Sequence, residues 1–337
     1  MSGFETNGVK MSNKYKPIDL SKLKTHSIHD RKNRSNIHQT PLLTGKNATA
    51  EELIFSFPNY LGASAFKNVV KAICVAHQND KPVIVAFGAH VLKVGCGPIL
   101  IDLIQRGIIK GLVCNGACAI HDVELALFGE TSEDVAETIQ NGSFGMIKET
   151  FDFFNKAVKE ADWGLGFSIG NLLIQHKASY RHRSVFAESV FAESVFAGIP
   201  ICVQVAIGTD TIHVSPDMDG GALGDASMYD FRVVCDMVSD LGSKEGSDIG
   251  GVWLNIGSAV ILPEVFLKAV SVARNLGVNL DNMVTANFDM IQHYRPHQNV
   301  VTRPVKKGNG YEITGHHEIM LPLLRQAIID NIGEKSL

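Results

Sequence analysis

The side chains that could carry chemistry fall into a few short stretches. The densest is Gly208–Asp225, where Asp210, Asp217, Asp219 and Asp225 surround His213 in a glycine-rich segment. Such carboxylates could converge on a divalent cation. Spaced along an extended pocket, they could equally hold the ammonium groups of a polyamine, each a hydrated point charge. Asn115-Gly116-Ala117-Cys118-Ala119-Ile120-His121-Asp122-Val123-Glu124 sets small residues before His, Asp and Glu. Small residues let a ligand approach the backbone, and acids early in a helix also complement its dipole. Gly95-Cys96-Gly97 opens a helix and matches part of a dinucleotide fingerprint, without its third glycine. Two further stretches carry Thr285, Asp289 and His293, and then His316, His317 and Glu318. Adjacent histidines at a strand end point to opposite sides, so one of the pair is expected to face a given ligand. An imine-forming lysine needs a depressed pKa, and Lys306 beside Lys307 has a like charge that would lower it. Lys93, next to the glycine turn, is a rival.

The elements that must position these residues read as alternating strands and helices. Ala63–His77 carries Phe66, Val69, Val70 and Ile73 at helical spacing. Pro82–Phe87 is a β-branched strand, Pro98–Arg106 a helix with proline early and Gly107 after it, and Ile108–Val113 the next strand. Helices are expected over Ala117–Phe128, from a Thr131–Asp134 capping box towards Gln140, and over Phe144–Glu160. Strands return at Pro200–Ile207, Gly250–Ile256 and Asn282–Ala286, with a helix over Pro263–Leu276. This alternation predicts an α/β fold, a parallel sheet with helices on both faces. Ligands bind such sheets at the carboxyl ends of the strands. Gly88, Asn115, Asp210, Ser258 and Thr285 are therefore expected to rim one cleft. Ser184–Glu188 repeats as Ser189–Glu193 and again as Ser194–Ala197. Five residues turn a helical face by about 140°, so the copies cannot all present one face; we read a tandem duplication that lengthens a helix.

Composition narrows the function. Of 337 residues, 45% are apolar, enough for a sizeable core in a domain over 49–337, preceded by a polar arm over 1–48. A net charge of −4 with no basic stripe argues against a nucleic-acid partner. The apolar runs are strand-length and the first residues lack an apolar leader core, so neither a membrane span nor a signal peptide is expected. Six cysteines without metal or redox spacing fit free thiols in the cytoplasm.

Leu92–Arg106 running into Cys114–Glu124, Ser168–Leu173, Asp219–Asp225, Asn255–Val260, Thr285-Ala286 and Leu321–Leu324 together resemble the deoxyhypusine synthase family, in the same order along the chain. The resemblance covers about residues 55–330. It implies a Rossmann-like sheet, a homotetramer, and NAD-dependent oxidation of spermidine followed by aminobutyl transfer through a lysine imine. It also implies that Asn115, Gly116, His121, Asp122, Gly257, Ser258, Thr285 and His316 hold NAD. Asp219 and Asp225, with Asp289, are then expected at the amine, and Lys306 or Lys307 at the imine, with the nicotinamide near His316 or His121. The family's Trp-Gly-Lys element is replaced here by Val301–Gly308, which has no tryptophan. The donor would be spermidine or putrescine, and the acceptor a protein lysine or a diamine. Two other readings stay open: a metal-dependent hydrolase of guanidino or amide substrates using Asp210, His213, Asp217 and Asp219, and a non-catalytic NAD-binding protein.

Overall fold

The computed structural model describes residues 15–190, 198–243 and 248–332. Its contacts divide the chain after Thr40. The described part of the first unit holds two 3-10 turns, Ile28–Asp30 and Ile37–Gln39, with no buried residue in either. The second unit begins at Pro41 and carries every strand.

Thirteen helices and six strands follow among the described residues. Helices α1 (Ala50–Ser56) and α2 (Leu61–Gln78) precede β1 (Val83–Phe87). The short α3 (His90–Lys93) and α4 (Gly97–Gln105) lead to β2 (Ile109–Asn115), then α5 (Gly116–Phe128). Four helices intervene before β3 (Ile201–Gln204): α6 (Val135–Asn141), α7 (Lys148–Lys159), α8 (Leu165–Gln175) and α9 (Val185–Val190). Then come α10 (Gly220–Asp240), β4 (Val252–Ile256), α11 (Ile261–Asn275), β5 (Val284–Asp289), α12 (Tyr294–Pro296), β6 (Gly310–Thr314) and α13 (His317–Ile332).

The strands pair in the order β3-β2-β1-β4-β5-β6, and every pairing is parallel. This is the doubly wound order of a Rossmann-like sheet, with a topological switch between β1 and β4. Both faces are buried, as parallel sheets require. Alternation along β1 shows the two layers: Val83, Val85 and Phe87 pack with α2, α4, α5 and α13, while Ile84 and Ala86 pack with α10 and α11. In the second layer Trp253 is fully buried and stacks on Phe266, ring centroids 4.3 Å apart. The chain's other tryptophan, Trp163, is 69% exposed.

Local chemistry sets the element ends. Thr49 and Glu52 form a capping box on α1, Thr49 N donating to Glu52 Oε2 at 2.7 Å. The box expected at Thr131 does not form. Asp134 caps α6 instead, its Oδ1 accepting from Ala136 N at 3.0 Å, because the Thr131 hydroxyl is committed elsewhere. The helix expected from Phe144 begins only at Lys148, after Gly145 takes a left-handed turn with φ +74°. Of the five-residue repeat, the first copy and the start of the second form α9; residues 191–197 lie outside the described residues.

Two buried carboxylates tie helices into this layer. The carboxylate of Asp122 accepts from Ser184 Oγ, from Val185 N at 2.8 Å and from Phe186 N at 3.2 Å, and so holds the start of α9. Asp230 Oδ2 accepts from Val203 N at 2.7 Å and Gly166 N at 3.1 Å, joining α10 to β3 and α8. Burial pushes its carboxyl up to about 7, against the pull of those backbone donors. Replacing Asp230 with Ala leaves two buried amides without partners. We expect Asp230→Ala to lose about 3 kcal/mol, read as a lower urea midpoint at unchanged slope.

Candidate functional site

Parallel strands place all carboxyl ends on one edge, so the residues just after β1, β2 and β3 meet there. β1 ends level with its neighbours, Phe87 opposite Cys114 on β2 and Ile256 on β4. The chain then turns through Gly88 and Gly257. A Cβ on Gly88 would stand 2.1 Å from the Gly257 carbonyl oxygen, so only glycine permits this approach at the switch point. Gly257 itself has φ +66°, and a Cβ on it would meet His317 Nε2 at 2.6 Å. His317 is 1% exposed, and neither ring nitrogen has a partner among the described residues. Its ring lies 5.8 Å from that of His90. Burial, and then the neighbouring histidines against the pull of Asp289, hold its pKa below the usual histidine range.

The segments that follow β1, β2 and β3 line a cavity of about 500 Å³. Lys93 reaches it from α3, His121 and Glu124 from α5, Thr131 and Glu133 from the loop beyond, and Asp210 from the segment after β3. His121 and Glu124 share one face of α5, three residues apart. His121 Nδ1 lies 2.6 Å from Thr131 Oγ1, and that hydroxyl donates to Glu124 Oε2 at 2.5 Å. Thr150 Oγ1 donates to the other oxygen, Glu124 Oε1, at 3.0 Å. Burial, with the Lys93 charge nearby, lowers the His121 pKa to about 4, so its ring is neutral near pH 7.

Asp210 packs against the start of α5, where Gly116 leaves it room: a Cβ there would be 2.1 Å from Asp210 Oδ2. The Asp210 residue is 8% exposed and Oδ2 has no hydrogen-bond partner among the described residues. His213 Nδ1 accepts from Gly208 N at 3.0 Å and Asp210 N at 3.3 Å. Its proton is thereby fixed on Nε2, which faces Asp210 Oδ2 at 3.9 Å. Burial raises the Asp210 carboxyl to about 6.

The residues singled out from the sequence divide between this edge and other duties. Asn115, Gly116, Gly257, Ser258 and Asp289 stand at strand ends or just after them on the carboxyl edge, and His121 in the second turn of α5. Asn115 Oδ1 is occupied as the cap of α5, accepting from Cys118 N at 3.1 Å. Ser258 is buried, and Asp289 Oδ1 accepts from Met290 N at 2.7 Å. Asp122 points away from the cavity, into the α9 cap. Thr285 is the second residue of β5 rather than its end; fully buried, it donates to Val300 O at 2.7 Å. Asp219 caps α10, accepting from Ala222 N at 3.0 Å, and Asp225 is exposed on that helix. His316 is exposed, 3.8 Å from Glu318, and the buried member of the histidine pair is His317, on the first turn of α13. Lys306 and Lys307 lie at the opposite edge. Lys306 Nζ is 3.0 Å from Asp281 ahead of β5, and Asn309, two residues past Lys307, accepts from Thr285 with its carbonyl where β6 begins. No group of three or more His, Cys, Asp or Glu among the described residues could hold a metal ion, so Asp210, His213, Asp217 and Asp219 do not converge. No helix among them is long and apolar enough to cross a membrane. The described cysteines are all free. Sequence reasoning gave Thr131 only a capping role and passed over Thr150; their place at Glu124 depends on the fold.

Residues 67–149 match the model of the C-terminal Rossmann-fold domain of ArgZ-like arginine dihydrolases, less than half of the chain. No curated protein matches. Unliganded AgrE aligns with a TM-score of 0.52 at 18% identity, over 80% of this chain and 33% of AgrE. AgrE in a ternary complex with ornithine and NAD+ gives 0.49 at 15%, over 80% and 33%. A candidate deoxyhypusine synthase from Entamoeba histolytica gives 0.44 at 11%, over 84% of this chain and 93% of that one. The chain spans about a third of the length of ArgZ and AgrE. The AgrE likeness bears on the fold, which is Rossmann-like; it does not single out one activity among proteins that share it.

The raised carboxyl of Asp210 has a measurable sign. Its folded pKa of about 6 lies above the usual aspartate value of 3.8, so its contribution is fully present below 3.8 and is lost as pH rises through about 6. Asp210→Asn has no such titration. The stability of the native protein minus that of the variant should fall between acid and neutral pH, read from urea midpoints; a constant difference would contradict the burial of this charge.

Proposed function

We propose that the chain is an NAD-dependent enzyme that oxidises the carbon beside an amine nitrogen, and that its reaction is the aminobutyl transfer of the deoxyhypusine synthase kind. One observation carries the reading: Lys93, His121 and Asp210 line one cavity at the carboxyl edge of a doubly wound sheet, built from the segments that follow β1, β2 and β3. Amine oxidation followed by imine exchange needs a cation anchor, a proton acceptor and a nucleophilic amine within one enclosure. These three side chains are of those types.

The switch point fits a dinucleotide on two features of this chain. Gly88 and Gly257 bring bare backbone to the crevice, and His317 offers two unpaired ring nitrogens there. NAD+, when bound, accepts a hydride. Gly88, Gly257 and His317 would hold it, since the side chain of Asn115 is already engaged as a cap. Asp210 would anchor the ammonium of a spermidine or putrescine donor. In this reading Lys93, rather than Lys306 or Lys307, would form the imine: it lines the cavity, and the other two stand at the amino edge of the sheet.

The test is incubation with NAD+ and radiolabelled spermidine, with and without putrescine, followed by borohydride. We expect NAD+ binding, label on putrescine and a trapped adduct on Lys93. Lys93→Met should abolish trapping, while Lys306→Ala and Lys307→Ala should trap as the native protein does. Label on Lys306 or Lys307 would overturn the lysine assignment. Binding of NAD+ without turnover would favour a non-catalytic protein, and neither binding nor transfer would sink the reading.

A further inference from the structure

The hydrogen bonds behind His121 fix where its proton sits. Thr131 Oγ1 stands between two partners, His121 Nδ1 at 2.6 Å and Glu124 Oε2 at 2.5 Å. A threonine hydroxyl carries one proton, and a carboxylate only accepts. The Thr131 proton therefore goes to Glu124. What remains on Thr131 towards His121 is a lone pair, so Nδ1 must be the donor. Glu124 cannot turn away, because Thr150 Oγ1 holds its second oxygen at 3.0 Å. The neutral imidazole thus keeps its hydrogen on Nδ1 and its free lone pair on Nε2. No described residue hydrogen-bonds Nε2, and His121 lines the cavity.

The same cavity is also lined by a carboxylate of the kind that holds a cation. Asp210 is more than nine-tenths buried and lines the same cavity; its Oδ2 has no hydrogen-bond partner among the described residues, with His213 Nε2 3.9 Å away. Glu130 stands on the rim; Glu133 is partly committed, its Oε1 accepting from Gly145 N at 2.7 Å. Lys93 is the one cationic side chain among the lining residues. Burial of the ring, and then the Lys93 charge, oppose a resting imidazolium, so His121 rests neutral with the Nε2 lone pair available.

We infer that His121 Nε2 is the proton acceptor of this cavity, that its substrate is an amine whose ammonium is seated at Asp210, and that Thr131 and Glu124 are positioning residues behind it. The substrate class rests on the amine chemistry proposed above; the proton position does not. In the step itself one ammonium N–H bond breaks and its electron pair stays on nitrogen. The proton bonds to Nε2. The resulting imidazolium donates through Nδ1 to Thr131, whose own proton faces Glu124, so the new positive charge is matched by a fixed negative one. The amine leaves this step with the lone pair that imine formation or loss of an adjacent hydride requires.

Two measurements test this. The first needs no substrate. In protein labelled with 15N at the histidine rings, long-range proton–nitrogen correlation distinguishes the two neutral forms, and His121→Gln assigns the signal. We expect a protonated Nδ1 and a bare Nε2, neutral from about pH 8 to about pH 5. Thr131→Ser should preserve this pattern and Thr131→Val should lose it, folding being checked by circular dichroism in each. A proton on Nε2 in the native protein, or a charged ring near neutral pH, would overturn the inference. The second is spermidine-dependent NADH formation. His121→Gln should lower kcat about 100-fold or more with little change in KM. Native kcat in that variant would falsify the acceptor role. Should the native protein fail to oxidise spermidine, the proposed reaction falls, and the proton position alone decides this inference.

Discussion

Everything at the carboxyl edge depends on one close approach, that of the chain leaving β1 to the chain leaving β4. Gly88 donates its N–H to Ile256 O at 2.8 Å, and Gly257 donates to Phe288 O at 2.9 Å. The two turns therefore continue the sheet by one more residue on each side of the switch. Any side chain at Gly88 would drive them apart. Because β2 and β3 lie on one side of β1 and β4 to β6 on the other, this contact fixes how the two halves of the sheet meet. It thereby sets where His317, from the last helix, stands relative to His90, from the first helical turn after β1.

Buried carboxylates do three different kinds of work around that frame. Asp122 and Asp230 spend their oxygens on backbone N–H groups and so order α9, α8 and β3. Asp210 also touches the backbone at the start of α5, yet keeps one oxygen unpaired. Glu124 accepts from two hydroxyls and reaches a histidine through one of them. The same functional group is a strut in the first two, an open anchor in the third and a fixed counter-charge in the fourth. The difference lies in what reaches each oxygen, because a buried carboxylate is tolerated only to the extent that donors replace water.

The architecture was legible in the sequence because its signal is local. β-branched runs such as Val83–Phe87, bounded by turn residues and alternating with amphipathic helices, leave little choice but a covered parallel sheet. The site was legible only in part. Strand-end residues such as Asn115, Gly257 and Ser258 could be placed by rule. What each side chain does there could not, since the density of His, Asp and Glu over 121–124 does not reveal that Asp122 turns inward to Ser184 while His121 and Glu124 turn outward. Thr131 looked like the start of a capping box, and the choice of Asp134 instead depends on Glu124, seven residues earlier in the chain, competing for that hydroxyl. Lys306 and Lys307 were drawn in by order along the chain, which carries no information on which edge of a sheet a loop occupies. His317 was the more informative of its pair, and only burial separates it from His316.

The two tryptophans give the molecule an optical division of labour. Trp253 is sealed within the sheet beside Phe266, on the strand next to the switch point, while Trp163 stands in water. Their indoles occupy opposite extremes of polarity within one chain. Emission from Trp253 belongs at the blue end of the tryptophan range and survives only while the second layer stays closed. Emission from Trp163 is already that of a solvated ring and changes little on unfolding. Fluorescence of the unmodified protein is thus, by construction, a single-site report on the face of the sheet covered by α10 and α11.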